Sequence, residues 1–213
     1  MFYEFPASSA PIRQGDIFID IPRVEFELSN PLSVLEEDHK VSSISWEELV
    51  REKKDFAAVL GITLVPAIVA TQSCDAQRRD YVTLCEVVEI TKVKGFENVK
   101  EKNLRNVAKD LVKHNRDMPE IFYLPPDNNI GFCDRMTVNF SSTIRLYRED
   151  LEKLIENRKG KLNDTAYEHF REKLSHFFHR YAWNDWYILN KEELLAHGSY
   201  SDLEPSQLYP YQK

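Results

Sequence analysis

Val65-Pro66-Ala67-Ile68-Val69-Ala70-Thr71-Gln72-Ser73-Cys74-Asp75 joins an apolar run directly to five residues bearing hydroxyl, amide, thiol and carboxylate groups. The first half has the composition of a buried strand and the second that of a turn at its end. Ile62 to Ala70 and Tyr81 to Ile90 are the most strand-like stretches of the chain, so Thr71 to Asp80 reads as the polar link between two central strands. Pro66 has no N–H to give to a ladder, which predicts an edge or a bulge beside it.

Upstream, Gly15 to Ile21 alternates in polarity ahead of Pro22, and Val24 to Leu28 alternates again, so both are expected to be half-buried strands. Residues 29 to 45, rich in Ser, Pro and acids, read as a loop. Ser45 and Glu48 have the spacing of a capping box, which predicts a helix from Trp46 to about Leu60, ended by Gly61. Downstream, Lys92 to Asp117 carries eight Lys or Arg against four Asp or Glu, with Val99, Leu104, Val107, Leu111 and Val112 at helical spacing. Ile121 to Leu124 reads as a short strand, Asp127 to Gly131 as a turn, and Arg135 to Phe140 and Thr143 to Tyr147 as two strands parted by Ser141-Ser142. After Arg148 the pattern is helical. Leu151, Leu154 and Ile155 form one stripe, and Asn163 or Asp164 caps a helix to about Ala182 that buries Phe170, Leu174, Phe177, Phe178 and Tyr181.

A chain of 213 residues that is 42% hydrophobic can bury one good core with an appendage. Twenty-eight Lys or Arg against thirty-five Asp or Glu give a net charge of -7, which disfavours polyanion binding over the whole surface and directs attention to local basic faces. Cys74, Cys85 and Cys133 lack CxxC spacing, arguing against a disulfide scaffold or a cysteine-rich zinc site. Met1-Phe2-Tyr3-Glu4-Phe5-Pro6 has no signal-peptide character, and no apolar run approaches the roughly 20 residues a bilayer requires. The expectation is a soluble cytoplasmic domain with no membrane partner.

On Gln14-Gly15-Asp16-Ile17-Phe18, on Pro66-Ala67-Ile68-Val69 with its Thr-Gln-x-Cys-Asp turn, and loosely on Phe132 to Leu146, the chain resembles the broad MazF/PemK-like group of small bacterial barrels. The resemblance spans residues 11 to 90 and 120 to 148. It implies an α+β fold built on a small SH3-like, largely antiparallel β-barrel over residues 1–148, with helical insertions near 46–60 and 97–115 and a C-terminal helical elaboration over 149–213. Some members of the group cut RNA, using an Arg just before the Pro of the second conserved strand. Val65 stands there in this chain, and without that cation the charge developing on a phosphorane lacks its stabiliser.

Cys74 and Asp75 are the candidate catalytic residues, although a cysteine nucleophile needs a base, and His114, His169, His176 and His179 are all distant in sequence. Thr71, Gln72 and Asp75 are expected to shape a polar pocket. The alternative for this turn is architectural, with Asp75 accepting backbone N–H bonds and Cys74 buried. A zinc site from Cys74, Asp75, Cys133 and a histidine, or a magnesium site from Asp75 and Asp134, has no diagnostic spacing, so no metal or other cofactor is predicted. For nucleic acid, Arg78 and Arg79 in the turn and Lys173, His176 and Arg180 on one helical stripe are the candidate phosphate-binding groups.

The resemblance and the local basic stretches together imply a nucleic-acid-associated protein of a bacterial toxin or defence system, binding RNA or DNA. Two other classes stay open. One is a noncatalytic scaffold or regulatory subunit that binds a protein partner through the C-terminal helices around Trp183, Trp186 and Tyr187, and the other is a ribonuclease or cysteine-dependent enzyme.

Overall fold

A computed structural model of the chain describes residues 1–25, 31–35, 39–53, 55, 57–93, 96, 99, 103, 106, 107, 109, 111 and 118–178. Its strands are β1 (Tyr3–Glu4), β2 (Asp16–Val24), β3 (Leu32–Leu35), β4 (Val41–Ile44), β5 (Ala57–Ala58), β6 (Ile62–Val69), β7 (Tyr81–Glu89), β8 (Ile121–Leu124), β9 (Met136–Tyr147) and β10 (Arg158–Leu162). Its helices are α1 (Trp46–Glu52), α2 (Ser73–Ala76), α3 (Arg148–Lys153) and α4 (Asp164–Phe178). Seven strands form an antiparallel sheet in the order β1-β10-β2-β6-β7-β9-β8, and β4-β3-β5 form a second, smaller one.

Where β6 and β7 pair, the large sheet is buried on both faces, which explains the apolar character of residues 65–69 and of β7. Ile17, Ile68 and Cys85 lie in one row across β2, β6 and β7 and pack toward Phe170, Leu174 and Phe177 of α4. Their neighbours Phe18, Ala67 and Leu84 point the opposite way, onto Ala76 of α2 and Leu151 of α3. Asn163 caps α4, its Oδ1 accepting the Ala166 N–H at 2.8 Å. A third cluster gathers Ile90, Phe96, Leu111 and Ile121, which places Phe96 and Leu111 beside β8.

The sheet does not close, and the SH3-like barrel is corrected to an open α+β arrangement of two antiparallel sheets. Closure would require a hydrogen-bonded ladder between the edge strands β1 and β8. They meet instead through side chains: Tyr3 Oη donates to Pro125 O at 2.7 Å, and the rings of Phe2 and Phe122 lie 6.5 Å apart. A chain of aromatic contacts, Phe122 to Phe170, Phe170 to Phe140 and Phe140 to Phe177, fills the curve of the sheet with α4.

Several local expectations are also revised. β2 is one strand that runs through Pro22, because β10 pairs with it only at residues 16–18 and no ladder bond is needed on that side of Pro22. A bulge between Phe18 and Ile21, with Asp20 at φ 55°, lies opposite Pro66, the irregularity predicted there. The two strands expected around Ser141-Ser142 are a single 12-residue β9 whose register with β7 shifts beside those serines. The capping box of α1 forms, but the helix ends at Glu52 with Lys53 left-handed at φ 51°. The stretch read as a loop at residues 29 to 45 contains β3 and β4. The chain after Tyr147 returns to the large sheet, where β10 lies between β1 and β2. No helix among the described residues is long and apolar enough to cross a membrane.

Candidate functional site

The turn after β6 is held chiefly by its own polar groups. Thr71 Oγ1 accepts the Thr83 N–H at 2.7 Å and the Thr71 N–H reaches Thr83 O at 3.2 Å, extending the β6–β7 pairing by one step. Gln72 O then accepts the N–H groups of Asp75 and Ala76, which winds the single turn of α2, and Asp75 O accepts those of Arg78 and Arg79. Ser73 Oγ takes the Gln14 N–H at 3.3 Å, linking this turn to the segment before β2.

That segment, Gln14-Gly15-Asp16, is a junction. The buried Gln14 amide donates to Ala70 O at 2.7 Å, and its Oε1 receives the Tyr167 hydroxyl of α4 at 3.4 Å. Gly15 sits at φ 88° with its N–H on Val69 O, and a Cβ there would stand 3.3 Å from the Tyr167 ring, so only glycine suits the position. Asp16 is fully buried, and its Oδ2 accepts from the Arg13 N–H and from Arg158 Nη1, each at 3.0 Å. The Arg158 guanidinium, equally buried, also donates to the carbonyls of Ala7, Ser8 and Pro11. Burial raises the proton affinity of Asp16, and the Arg13 N–H and Arg158 offset part of that rise.

Gln14 divides the seam between the turn and α4 into two openings. One, of ≈ 240 Å³, lies between Ser73, Cys74 and Gln77 on one side and Lys161, Asp164 and Tyr167 on the other. The second, of ≈ 500 Å³, lies between Ala70 and Gln72 and the helix residues Glu168, Arg171, Glu172 and Ser175. Cys74 is exposed and Ala76 is the buried residue of the turn, the reverse of the expected burial of Cys74. The Asp75 carboxylate faces Arg79 Nε at 3.6 Å across a solvated surface.

The candidate residues do not converge. Thr71 is bonded into the β6–β7 connection, Gln72 and Cys74 face different openings, and no histidine is among the described residues lining the opening that holds Cys74. His169 lines a separate cavity with Lys173, and His176 is exposed; His114 and His179 lie outside the described residues. Among the described residues no three potential ligands are grouped to hold a metal ion. Of the cations proposed for phosphate, Arg78 and Arg79 are exposed, Lys173 is buried with its Nζ 3.4 Å from Leu111 O, and Arg180 lies outside the described residues, as do Trp183, Trp186 and Tyr187.

A different surface stands out once the fold is known. Beyond Ile21, β2 and β6 continue as a two-stranded ribbon in which Val24 pairs with Ile62 and Pro22 with Leu64, placing all four on one face. Val24 is 41% exposed, Ile62 64% and Leu64 60%. At the root of the ribbon its other face is anchored by Arg23, whose Nη1 lies 2.5 Å from Glu86 Oε1, while Glu86 Oε2 accepts from Ser142 at 2.7 Å. In the small sheet inserted between β2 and β6, Leu35, Val41 and Ala57 form one row, and all three are exposed. Strand and loop composition alone does not reveal this surface, because exposure depends on tertiary partners; its signal in the sequence is the apolar content of Leu32 to Leu35 and Ile62 to Leu64.

Neither a protein-family model nor any curated protein matches this chain. The MazF/PemK-like resemblance gains no support from either, and the closed barrel it implies is replaced by an open sheet.

Proposed function

We propose that this chain is a noncatalytic protein-binding module, and that the face of the β2–β6 ribbon receives a basic partner segment with an apolar side. The observation that carries this reading is the exposure of Val24, Ile62 and Leu64 on a single face of an ordered ribbon. Scattered exposed apolar residues are ordinary, whereas a row fixed on one face by strand register offers an area that association can bury. The chemistry of the partner follows from charge. From Glu25 to Gly61 the sequence between the ribbon strands has nine Asp or Glu against four Lys or Arg, so a cationic segment is attracted and an acidic one repelled.

The test is fluorescence anisotropy of the full chain with a labelled amphipathic Leu/Lys peptide, a peptide of equal charge lacking an apolar face, and labelled RNA and DNA across a salt series. The amphipathic peptide is expected to bind and the charge-matched control to bind at least tenfold more weakly. Ile62→Thr with Leu64→Thr is expected to weaken the amphipathic peptide at least tenfold while the protein stays folded. Peptide binding indifferent to this substitution contradicts the reading. Salt-sensitive binding of RNA or DNA alone, lost on Arg78→Ala with Arg79→Ala, returns the function to nucleic acid.

A further inference from the structure

A cavity of ≈ 370 Å³ opens between the N-terminal residues, β8 and the first turns of α4, on the side of α4 away from Cys74. At a water volume of ~30 Å³ it has room for about a dozen waters, which matches a ligand of on the order of ten heavy atoms. Phe2, Phe122 and Ala166 give it an apolar wall, and Asn163 and His169 contribute polar groups. Lys173 is the only Lys or Arg among the described lining residues. It is 4% exposed, and its hydrogen bond to Leu111 O is long at 3.4 Å.

An ammonium has three protons to donate, and one carbonyl at that distance satisfies at most one of them. Burial disfavours the charged form of Lys173, and the nearby Glu120 offsets part of that effect. A buried cation held beside apolar walls is stabilised by an anion that brings its own apolar surface. One lining ammonium, already partly balanced by Glu120, matches a monoanion better than the double charge of a phosphate dianion.

We infer that this cavity binds a small amphipathic carboxylate, its aliphatic or aromatic body against Phe2, Phe122 and Ala166 and its head group on the Lys173 ammonium. The site is distinct from the ribbon face and does not depend on the protein-binding reading.

Calorimetric titration of the full chain with sodium octanoate and with 1-octanol tests it, since the two probes share a tail and differ in the head. Octanoate is expected to bind at least tenfold more tightly than octanol, and Lys173→Gln to remove that preference while octanol binding changes less than twofold. Because Lys173→Gln reaches into a packed region, resonance shifts in the unsubstituted protein give an independent readout: octanoate is expected to move Ala166 and Phe122 and to leave Ile62 and Leu64 in place. No octanoate binding, equal affinity for the two probes, or shifts away from the cavity overturns the inference.

Discussion

Around Gln14 and Asp16, polar side chains are buried and hydrogen-bonded; along the ribbon beyond Ile21, apolar side chains stand in solvent. The contrast inverts the usual division between core and surface. In the seam, Asp16 and Arg158 tie the N-terminal loop, β2 and β10 together, so their chemistry serves architecture. On the ribbon, Val24, Ile62 and Leu64 contribute little to the core they leave, so their chemistry is available to a partner. Polar residues clustered after an apolar strand therefore do not by themselves mark a ligand site; what matters is whether their atoms already have partners.

The largest expected effect lies in the seam. Asp16→Asn leaves the Arg158 guanidinium buried without its counter-charge, and equilibrium denaturation should record a loss of about 3–5 kcal/mol. A loss below 1 kcal/mol would remove Asp16 from the architecture. Gln14→Leu is next: it strips Ala70 O of its 2.7 Å donor and Tyr167 of its acceptor, at about 1–3 kcal/mol in the same experiment.

Cys85, in the row beneath α4, makes the contrast visible through pH. Burial pushes its thiol from 9.0 up to about 12. As pH climbs above the unfolded value, the unfolded thiol loses a proton that the folded one keeps, so this contribution to stability falls by about 1.4 kcal/mol per pH unit until the folded value is reached. Cys85→Ala should show a shallower alkaline decline than the unsubstituted protein, measured by denaturant unfolding between pH 8 and 10. A thiol reagent should label the exposed Cys74 and Cys133 in the folded chain and reach Cys85 only on unfolding.

The smallest effect on stability belongs to the ribbon. Ile62→Thr with Leu64→Thr should shift the unfolding free energy by no more than about 0.5 kcal/mol per site, because both side chains are largely solvated already. A loss of several kcal/mol would mean that this face belongs to the core of the folded chain.

Much of the fold was legible where the determinants are local. The apolar run of β6, the Ser45–Glu48 capping box and the Asn163 cap can each be read within a few residues. What escaped was set by distant partners. Arg158-Lys159-Gly160-Lys161-Leu162 has no strand-like composition, yet it enters the sheet because Asp16, 142 residues away, accepts the Arg158 charge. Lys173 falls on the polar stripe of its helix when counted by angle, and it is buried because Leu111 comes from elsewhere in the chain to meet it. The open edge of the sheet is equally nonlocal, since closure depends on how Phe2, Tyr3 and α4 occupy the curve. The candidate site was legible as a turn, with an architectural role for Asp75 among the alternatives, but the bonds made by the Thr71 and Ser73 hydroxyls and the burial of Ala76 in place of Cys74 depend on Thr83 and Gln14 from other strands and segments.

The most direct measurement is an NMR titration of the full chain with the amphipathic Leu/Lys peptide, following backbone amide resonances of both regions at once. Shifts are expected to concentrate at Ile21, Arg23, Val24 and residues 62–65, with Gln14, Gln72 and Tyr167 unmoved. Shifts confined to the seam, around Gln72, Cys74 and Arg171, would contradict it and make the turn the binding surface.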